Sequence, residues 1–179
     1  VSTEDAKARF GDVSVPLPCG QTMTAPSAVA QMLTALDPQD GQSALEIGTG
    51  SGYVAALLAD MGLAVRTLDR YRSLALAAHE RFAALGVRKV EALHADGFQP
   101  PRSPAVDRIL INGVVEAVPE ALVSRLAPGG RLVAALRIEG LSRMVVVTRT
   151  ADMRGGAVDH HLGGPLRLPP LAAGLARAL

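Results

Sequence analysis

The stretch Leu45-Glu46-Ile47-Gly48-Thr49-Gly50-Ser51-Gly52-Tyr53 decides the fold class of this chain. The apolar run at residues 44–47 is typical of a buried strand, and Val54, Leu57 and Leu58 continue at helical spacing after the glycines. Alternating glycines between a strand and a helix let the backbone turn sharply, approach a ligand closely and point free N–H groups at it. The stretch therefore predicts a strand-turn-helix unit with a ligand site at the turn. An ordinary glycine-rich turn is the alternative.

The spacing of the three glycines indicates which class of ligand the predicted turn would bind. A dinucleotide-binding fingerprint has the pattern G-x-G-x-x-G. This chain has G-x-G-x-G, and Tyr53 stands where the last glycine of the fingerprint would be. The pattern disfavours a pyrophosphate group and favours a nucleoside ligand without phosphate.

Strand-like and helix-like patterns alternate on both sides of this unit. The alternation predicts an α/β fold with a doubly wound, mostly parallel sheet and helices on both faces. We expect the last strand to be an edge or half-buried strand, and Thr24 or Ser27 to cap the first helix. The predicted strands are residues 44–47, 63–68, 89–93, 108–111, 131–136 and 143–149, and the predicted helices are residues 27–36, a helix from 54, 73–85 and 119–126.

The length of 179 residues predicts a single domain. Residues 1–20 carry little periodicity and predict an extended N-terminal segment. Residues 163–179 are rich in proline and glycine, and we expect them to follow the surface.

The composition disfavours several classes of protein. Eighteen basic residues against 17 acidic ones give a net charge of +1, and aromatic residues make up only 3% of the chain, which argues against a nucleic-acid partner. The apolar runs are too short to cross a bilayer, and the start of the chain has no secretory pattern. Cys19 is the single cysteine, so the chain has no internal disulfide. These features predict a cytoplasmic protein without a membrane partner.

Three acidic residues accompany the predicted turn. Asp69 ends the second strand about 20 residues after the glycines, where a carboxylate can accept from ribose hydroxyls; a solvated charge is the alternative. Asp96 follows the third strand and could accept from an exocyclic amine, with Gly97 clearing space for a ring, although an Asp-Gly pair is also a common turn. Glu46 lies inside an apolar strand and needs a partner, either loop N–H groups or a cationic group of the ligand.

These segments resemble class I S-adenosylmethionine-dependent methyltransferases, which share the E-x-G-x-G-x-G stretch and the acidic residues that close strands two and three. Residues 17–26, Leu-Pro-Cys-Gly-Gln-Thr-Met-Thr-Ala-Pro, resemble more narrowly the protein-L-isoaspartate O-methyltransferase family, whose members carry G-Q-T-[IM]-S-x-P upstream of the glycine loop. Further similarity lies at residues 45–53, 95–99, 106–109 and 126–133. The resemblance covers about residues 12 to 150.

The resemblance implies S-adenosyl-L-methionine as the cofactor and an isoaspartyl-containing protein or peptide as the substrate, with no metal. It places Thr24 at the family's serine as the catalytic residue, which would donate a hydrogen bond to the acceptor carboxylate, with Thr22 and Asn112 binding the substrate. Capping of the first helix is the other interpretation of Thr24. The candidate cofactor-binding residues are Glu46, Gly48, Thr49, Gly50, Ser51, Gly52, Asp69, Arg70, Asp96 and Gly97.

The chain departs from the family pattern at three places. Thr24 replaces the serine, Asn112-Gly113-Val114 replaces T-A-A after strand four, and residues 166–169 only echo the C-terminal F-V-P-L. Two alternatives therefore stay open: a methyltransferase for a small molecule or an RNA, and a repair-inactive, cofactor-binding regulatory module. The adjacent residues His160 and His161 would point to opposite faces of a strand, which disfavours a shared metal.

Overall fold

The computed structural model describes residues 11–150 and 158–176. Its strands are β1 Val15–Pro16, β2 Thr22–Met23, β3 Ser43–Ile47, β4 Ala64–Asp69, β5 Val90–His94, β6 Val106–Val115, β7 Leu126–Ile138, β8 Leu141–Arg149 and β9 Val158–Pro165. Its α-helices are α1 Pro26–Leu36, α2 Tyr53–Asp60, α3 Arg72–Leu85 and α4 Glu120–Val123, and a 3-10 turn spans Pro18–Gly20.

A seven-stranded sheet has the order β5-β4-β3-β6-β7-β8-β9. The strands from β5 to β7 pair in parallel, and β8 and β9 join the far side in antiparallel pairing. From β3 the chain proceeds to β4 and β5 on one side and then crosses to β6 on the other. The order therefore reverses between β3 and β6, and a sheet of this kind has its ligand crevice at the carboxyl ends of those strands. The predicted doubly wound, mostly parallel α/β fold is confirmed.

The helices divide unequally between the two faces of the sheet. The apolar sides of α1, α2 and α3 pack with Ala44, Leu110 and Val133 in one core cluster. On the opposite face, α4 contributes Leu122 to a second cluster that contains Leu45, because alternate residues of a strand point to opposite faces. Among residues 11–150 and 158–176, no helix has the length and hydropathy needed to cross a bilayer.

The N-cap residue of helix α1 makes no side-chain hydrogen bond, and neither Thr24 nor Ser27 holds that position, so the predicted caps at Thr24 and Ser27 are wrong. Ala25 is the N-cap residue and Pro26 is the first helical residue, where its fixed φ suits the helix and its missing N–H costs nothing. The N–H of Ser27 donates instead to Asp12 Oδ1 at 2.8 Å. Thr24 is left with its hydroxyl free to bond elsewhere.

The other end of α1 is tied to the sheet by two arginines. Arg108 on β6 donates from Nε and Nη2 to the carbonyl oxygen of Asp37 at 3.0 and 2.9 Å. Arg131 on β7 donates to the carbonyl oxygen of Ala35 at 3.0 Å. Cations that bond the last carbonyls of a helix satisfy its unpaired acceptors and its dipole. The contacts fix α1 on the sheet and thereby hold the residues that precede it near the carboxyl end of β6.

The structure corrects one predicted helix and adds an edge strand that the sequence did not predict. The helix expected at 119–126 is only the four residues of α4, because Leu126 already pairs with Val106 as the start of β7. Strand β8 is half-buried as expected, but it is not an edge strand, since it pairs with β7 and β9. The edge on that side of the sheet is β9, which the sequence did not predict, because its two glycines and adjacent histidines show no apolar alternation.

The segment predicted to follow the surface at 163–179 is partly built into the fold. Residues 163–165 belong to β9, and Leu166 is buried. The backbone of Val114 then bonds with Pro169 and Leu171 on either side, and the N–H of Ala176 donates to the carbonyl oxygen of Arg70 at 3.1 Å. We call residues 166–176 the C-terminal strap.

The predicted extended segment at residues 1–20 is only partly confirmed, and residues 1–10 lie outside the described residues. Strands β1 and β2 pair antiparallel, with Val15 opposite Met23. Between them Cys19 and Gly20 have positive φ values of 62° and 65°, so the chain turns back instead of staying extended. We call residues 15–23 the N-terminal hairpin.

Candidate active site

A cleft with about 860 Å³ of empty space lies at the carboxyl ends of β3, β4 and β6, between the N-terminal hairpin and the C-terminal strap. This space includes solvent at the open mouth of the cleft. The predicted site residues that line the cleft are Thr22, Thr24, Gly48, Thr49, Gly50, Ser51, Asp69, Arg70, Gly97 and Asn112. Glu46, Gly52 and Asp96 are not among the lining residues and stand behind its wall.

The glycine loop at residues 48–52 has the curvature that its sequence predicts. Gly48 has φ 94°, and a Cβ there would lie 3.3 Å from the carbonyl oxygen of Asn112. Gly52 has φ 84° and is the N-cap residue of α2, and a Cβ there would lie 2.8 Å from the ring of Phe82. Left-handed φ and close neighbours both require glycine. Gly48 thus brings the loop against β6, and Gly52 lets α2 pack against α3.

Asp69 joins the end of β4 to this loop. Its Oδ2 accepts from the N–H of Gly50 at 2.9 Å, and its Oδ1 accepts from the N–H of Tyr71 at 2.9 Å. Burial raises the pKa of Asp69, and those two backbone N–H groups act in the opposite direction. Because each carboxylate oxygen has two lone pairs, one on each oxygen remains for a ligand in the cleft.

Arg70, the next residue, has a polar group that lacks a partner. Its Nε is buried and is the one buried side-chain nitrogen or oxygen among the described residues without a hydrogen bond. Its guanidinium carbon lies 5.5 Å from the ring centroid of Tyr71. Buried N–H groups are nearly always satisfied, so this donor in the cleft wall is suited to an acceptor on a bound molecule.

A chain of hydrogen bonds runs behind the glycine loop through Thr24, Asn112, Glu46, Thr67 and Thr49, which we call the buried polar chain. At one end Thr24 Oγ1 donates to Asn112 Oδ1 at 2.7 Å. Asn112 Nδ2 donates at 3.5 Å to Glu46 Oε1 and at 3.4 Å to the carbonyl oxygen of Gly48. At the other end Thr67 Oγ1 donates to Glu46 Oε2 at 2.6 Å and contacts Thr49 Oγ1 at 2.7 Å.

Glu46 is completely buried at the centre of this chain. Its partners are Thr67 and Asn112, so the expected pairing with loop N–H groups is wrong. Burial raises the pKa of Glu46 from 4.5 to about 8, the hydrogen bonds from Thr67 and Asn112 lower it, and the charge of Asp69 raises it. The carboxyl group is therefore mostly neutral at pH 7.

Two of the departures from the family pattern touch each other here. Thr24 is buried and bonds Asn112, whereas Thr22 is exposed at the cleft. Asn112 directly follows Ile111, which pairs with Ile47 of β3, and β6 shifts its register with β7 between Leu110 and Val114. Irregular pairing of this kind re-aims side chains near functional sites.

Of the two roles predicted for Asp96, bonding an exocyclic amine or forming a turn, this structure shows the turn. Its Oδ1 accepts from the N–H of Phe98 at 2.9 Å and so closes a turn. The turn brings Gly97 to the cleft, where a Cβ would overlap the side chain of Ile47. Asp96 thus shapes the wall from behind.

Several cleft residues were not predicted from the sequence. The N-terminal hairpin contributes Leu17, Gln21 and Met23, all within the stretch that carries the family resemblance. Gln21 Nε2 lies 3.5 Å from the hydroxyl of Tyr71 and joins the hairpin to the start of α3. Residues 169–172 of the C-terminal strap line the cleft as well, and no sequence pattern pointed to them.

Other candidate groups lie apart from this chemistry. Cys19 Sγ lies 3.3 Å from the hydroxyl of Ser73. His160 and His161 are exposed on β9. Across residues 11–150 and 158–176 no three His, Cys, Asp or Glu side chains are grouped so that they could hold a metal ion.

Comparison with known proteins places the chain in one family. The model of the protein-L-isoaspartate(D-aspartate) O-methyltransferase family matches residues 2–160. The protein-L-isoaspartate O-methyltransferase of Azorhizobium caulinodans is 44% identical over 172 residues, which are 95% of this chain and 77% of that protein. The one of Bradyrhizobium sp. (strain BTAi1) is 37% identical over 179 residues, 98% of this chain and 80% of that protein.

Solved structures agree with this assignment at the level of the fold. A structure described as a protein-L-isoaspartate O-methyltransferase of Plasmodium falciparum, in complex with S-adenosyl-L-homocysteine, has a TM-score of 0.77 at 20% identity and covers 91% of this chain and 81% of its own. A second structure, named protein-L-isoaspartate O-methyltransferase, has a TM-score of 0.83 at 20% identity, over 95% of this chain and 56% of its own. The sequence matches and the cleft together lead to one conclusion: this chain belongs to the protein-L-isoaspartate(D-aspartate) O-methyltransferase family.

Proposed function

We propose that this chain transfers a methyl group from S-adenosyl-L-methionine to the side-chain carboxylate of L-isoaspartyl residues in damaged proteins and peptides. Family membership supports the activity. The observation that carries it is that one cleft is lined both by Asp69 with the glycine loop and by Thr24 with Asn112, which bonds Gly48 of that loop. A cofactor and an acceptor bound there would be neighbours.

The cleft residues fit an adenosyl cofactor. A side chain at Gly48 or Gly97 would fill space next to Asn112 or Ile47, so the glycines keep the wall open. Asp69 has lone pairs left for ribose hydroxyls, and a carboxylate accepts from two hydroxyls better than a neutral group does. The orphaned Nε of Arg70 offers a donor beside it. Glu46, Gly52 and Asp96 act on this site indirectly, through the residues that they hold.

The acceptor side requires positioning more than proton transfer. When bound, S-adenosyl-L-methionine supplies a methyl group on a sulfonium sulfur, which a carboxylate can accept directly. A carboxyl group with an ordinary pKa is already ionised at neutral pH, so the site needs no base to activate it. Thr24, Thr22 and Asn112 would then orient the acceptor, and correct orientation of two reactants can supply a large part of a rate enhancement.

The departures from the family pattern do not favour a repair-inactive module. Thr24 and Asn112 bond each other at 2.7 Å, and Leu171 of the C-terminal strap packs into the space beside Gly113. The replaced positions thus keep a packed cleft with a hydroxyl group and an amide group in its lining, which a methyl-transferring site can use to orient an acceptor. The cytoplasmic location and the absence of a nucleic-acid partner stay predictions from the sequence.

The test is methyl transfer from labelled S-adenosyl-L-methionine to an isoaspartyl peptide and to its twin with a normal aspartyl residue. The proposal predicts label on the isoaspartyl peptide alone. Label on neither peptide, or equal label on both, contradicts it.

A further inference from the structure

The proposed mechanism uses Thr24 and Asn112 of the buried polar chain but gives no chemical role to Glu46, Thr67 and Thr49. Both end residues of the buried polar chain, Thr24 and Thr49, line the cleft, whereas Glu46 at its centre has no exposed surface. A buried carboxyl group is costly to keep in a core strand. A carboxyl group that is kept there in spite of this cost is expected to act on the hydroxyl groups of Thr24 and Thr49 at the two ends.

The hydroxyl hydrogen of Thr24 is already used within the buried polar chain. A threonine hydroxyl has one hydrogen, and Thr24 gives it to Asn112 Oδ1 at 2.7 Å. Thr24 Oγ1 therefore presents only lone pairs to the cleft in this arrangement. An ionised carboxylate is an acceptor without donors, so Thr24 cannot bond it in this state. The predicted donation from Thr24 to the acceptor requires a second arrangement.

Asn112 can provide that arrangement by turning its amide over. Its Nδ2 is held loosely, at 3.5 Å from Glu46 and 3.4 Å from the carbonyl oxygen of Gly48. After the turn, Nδ2 lies against Thr24 Oγ1 and donates to it, which frees the hydroxyl hydrogen. The amide oxygen then faces Glu46, and only a neutral Glu46 carries a hydrogen that it can accept.

We propose that Asn112 and Glu46 are positioning residues that act as a relay, in which neutral Glu46 holds the Asn112 amide in the orientation that makes Thr24 a donor to the acceptor carboxylate. The inference rests on the proposed function and adds the state of the hydroxyl group to it. Ionised Glu46 favours the opposite amide orientation, in which Thr24 is only an acceptor. Binding of the acceptor therefore weakens as Glu46 loses its proton.

The charged neighbours set the pH at which this happens. Asp69 on β4 acts directly on Glu46 and disfavours its ionisation, and Asp69 is itself influenced by His94 and Arg70. Thr67 on β4 and Asn112 on β6 donate to Glu46 and favour its ionisation. Because the pKa of Glu46 is about 8, the relay changes state at mildly alkaline pH.

The test compares pH profiles of variants with that of the wild type. We measure kcat/KM for an isoaspartyl peptide from about pH 6 to about pH 9.5, the range that brackets the Glu46 titration. Calorimetry follows binding of the same peptide to protein that is saturated with S-adenosyl-L-homocysteine. The α-amino group of the cofactor titrates in the same range, so the difference between proteins is the diagnostic quantity.

Three variants give distinct expectations. Glu46→Gln always carries a donor and should lose the alkaline fall in kcat/KM and in peptide affinity that the wild type shows. Asn112→Leu has no polar side-chain atom, so it cannot donate to Thr24 and should lower kcat/KM by about 10- to 100-fold at every pH, with affinity for S-adenosyl-L-homocysteine nearly unchanged. Thr67→Val removes a donor that favours ionised Glu46 and should move the midpoint of the fall to higher pH.

Asp107→Asn is the matched control. Asp107 bonds Ser43 across the same two strands, β3 and β6, at the far end of the sheet. The control should keep the wild-type profile. The relay is overturned if Glu46→Gln retains the wild-type fall, if Thr67→Val leaves its midpoint in place, or if Asn112→Leu keeps full kcat/KM. A wild type that methylates no isoaspartyl peptide at any pH overturns the proposed function, and the relay with it.

Discussion

The side chain of Leu171 occupies the space that a side chain at Gly113 would need. A Cβ built on Gly113 overlaps Leu171 and lies 3.0 Å from the carbonyl oxygen of Pro169. The carboxyl end of β6 and the C-terminal strap therefore fit together only when residue 113 is glycine. Since residues 169–172 line the cleft, this contact also sets the position of one cleft wall.

Gly113→Ala should destabilise the protein by about 1–3 kcal/mol, because the added methyl group overpacks the contact. The strap would have to move, so affinity for S-adenosyl-L-homocysteine should fall as well. In Gly113→Ala/Leu171→Ala the smaller side chain at 171 makes room, and part of both losses should be recovered. Urea denaturation and calorimetry measure the two quantities.

The control for this pair is Gly164→Ala on β9, where an added Cβ meets nothing within 4 Å. It should leave stability and affinity nearly unchanged. Strictly additive losses in the double variant would show that Gly113 and Leu171 are not coupled.

Asp69→Ala should weaken the binding of S-adenosyl-L-homocysteine by about 1–3 kcal/mol, the typical cost of losing a charged hydrogen-bond acceptor. Part of the loss comes from Gly50 and Tyr71, whose N–H groups Asp69 now holds. Glu91→Ala on the neighbouring strand is the control, since Glu91 pairs with Arg66 in an exposed position. Equal affinity of Asp69→Ala and the wild type would remove Asp69 from the cofactor site.

Thr24→Ala should lower kcat for an isoaspartyl peptide by about 10- to 100-fold, as expected for a hydrogen bond to a charged group. Its affinity for S-adenosyl-L-homocysteine should hold. Thr24→Ser keeps the hydroxyl group and should retain or raise activity. Steady-state kinetics with calorimetry separate the two effects, and full turnover in Thr24→Ala would leave this residue a structural role only.

Glu46 should make the free energy of unfolding depend on pH. Its pKa rises from 4.5 to about 8 on folding, so between these values the folded chain holds a proton that the unfolded chain has released. The stability that neutral Glu46 contributes is fully present below pH 4.5 and is lost as the pH rises through about 8. The glutamine in Glu46→Gln does not ionise, so the stability of this variant lacks this dependence on pH.

Urea denaturation of the wild type and Glu46→Gln at about pH 5, 7 and 9 measures this effect. The variant should gain stability relative to the wild type as the pH rises. A difference that stays constant over this range would mean that Glu46 has an ordinary pKa in the folded protein.

Local sequence patterns predicted the part of the fold that rests on neighbouring residues. The strand at 44–47, the glycine loop and the helix after it lie where the pattern placed them, and Asp69 ends the next strand beside the loop. The physical reason is that a strand, a sharp turn and a helix each leave a signal within a few residues. The helix predicted at 73–85 ends where the pattern placed it, and Gly86 is its C-cap residue with φ 65°.

Contacts between distant segments could not be predicted in this way. The partners of Glu46 come from β4 and β6, 21 and 66 residues away in sequence. Thr24 carries the signal of a helix cap, but its hydroxyl bonds Asn112, 88 residues further on. Leu171 reaches the cleft through backbone pairing with Val114, which leaves no periodicity in a proline-rich stretch.

The most direct test of the account is a crystal structure of the protein with S-adenosyl-L-homocysteine. We expect ribose hydroxyls within hydrogen-bond distance of the Asp69 carboxylate and the sulfur atom next to Thr24 and Asn112. A ligand that binds outside this cleft, or whose sulfur points away from Thr24, would contradict it.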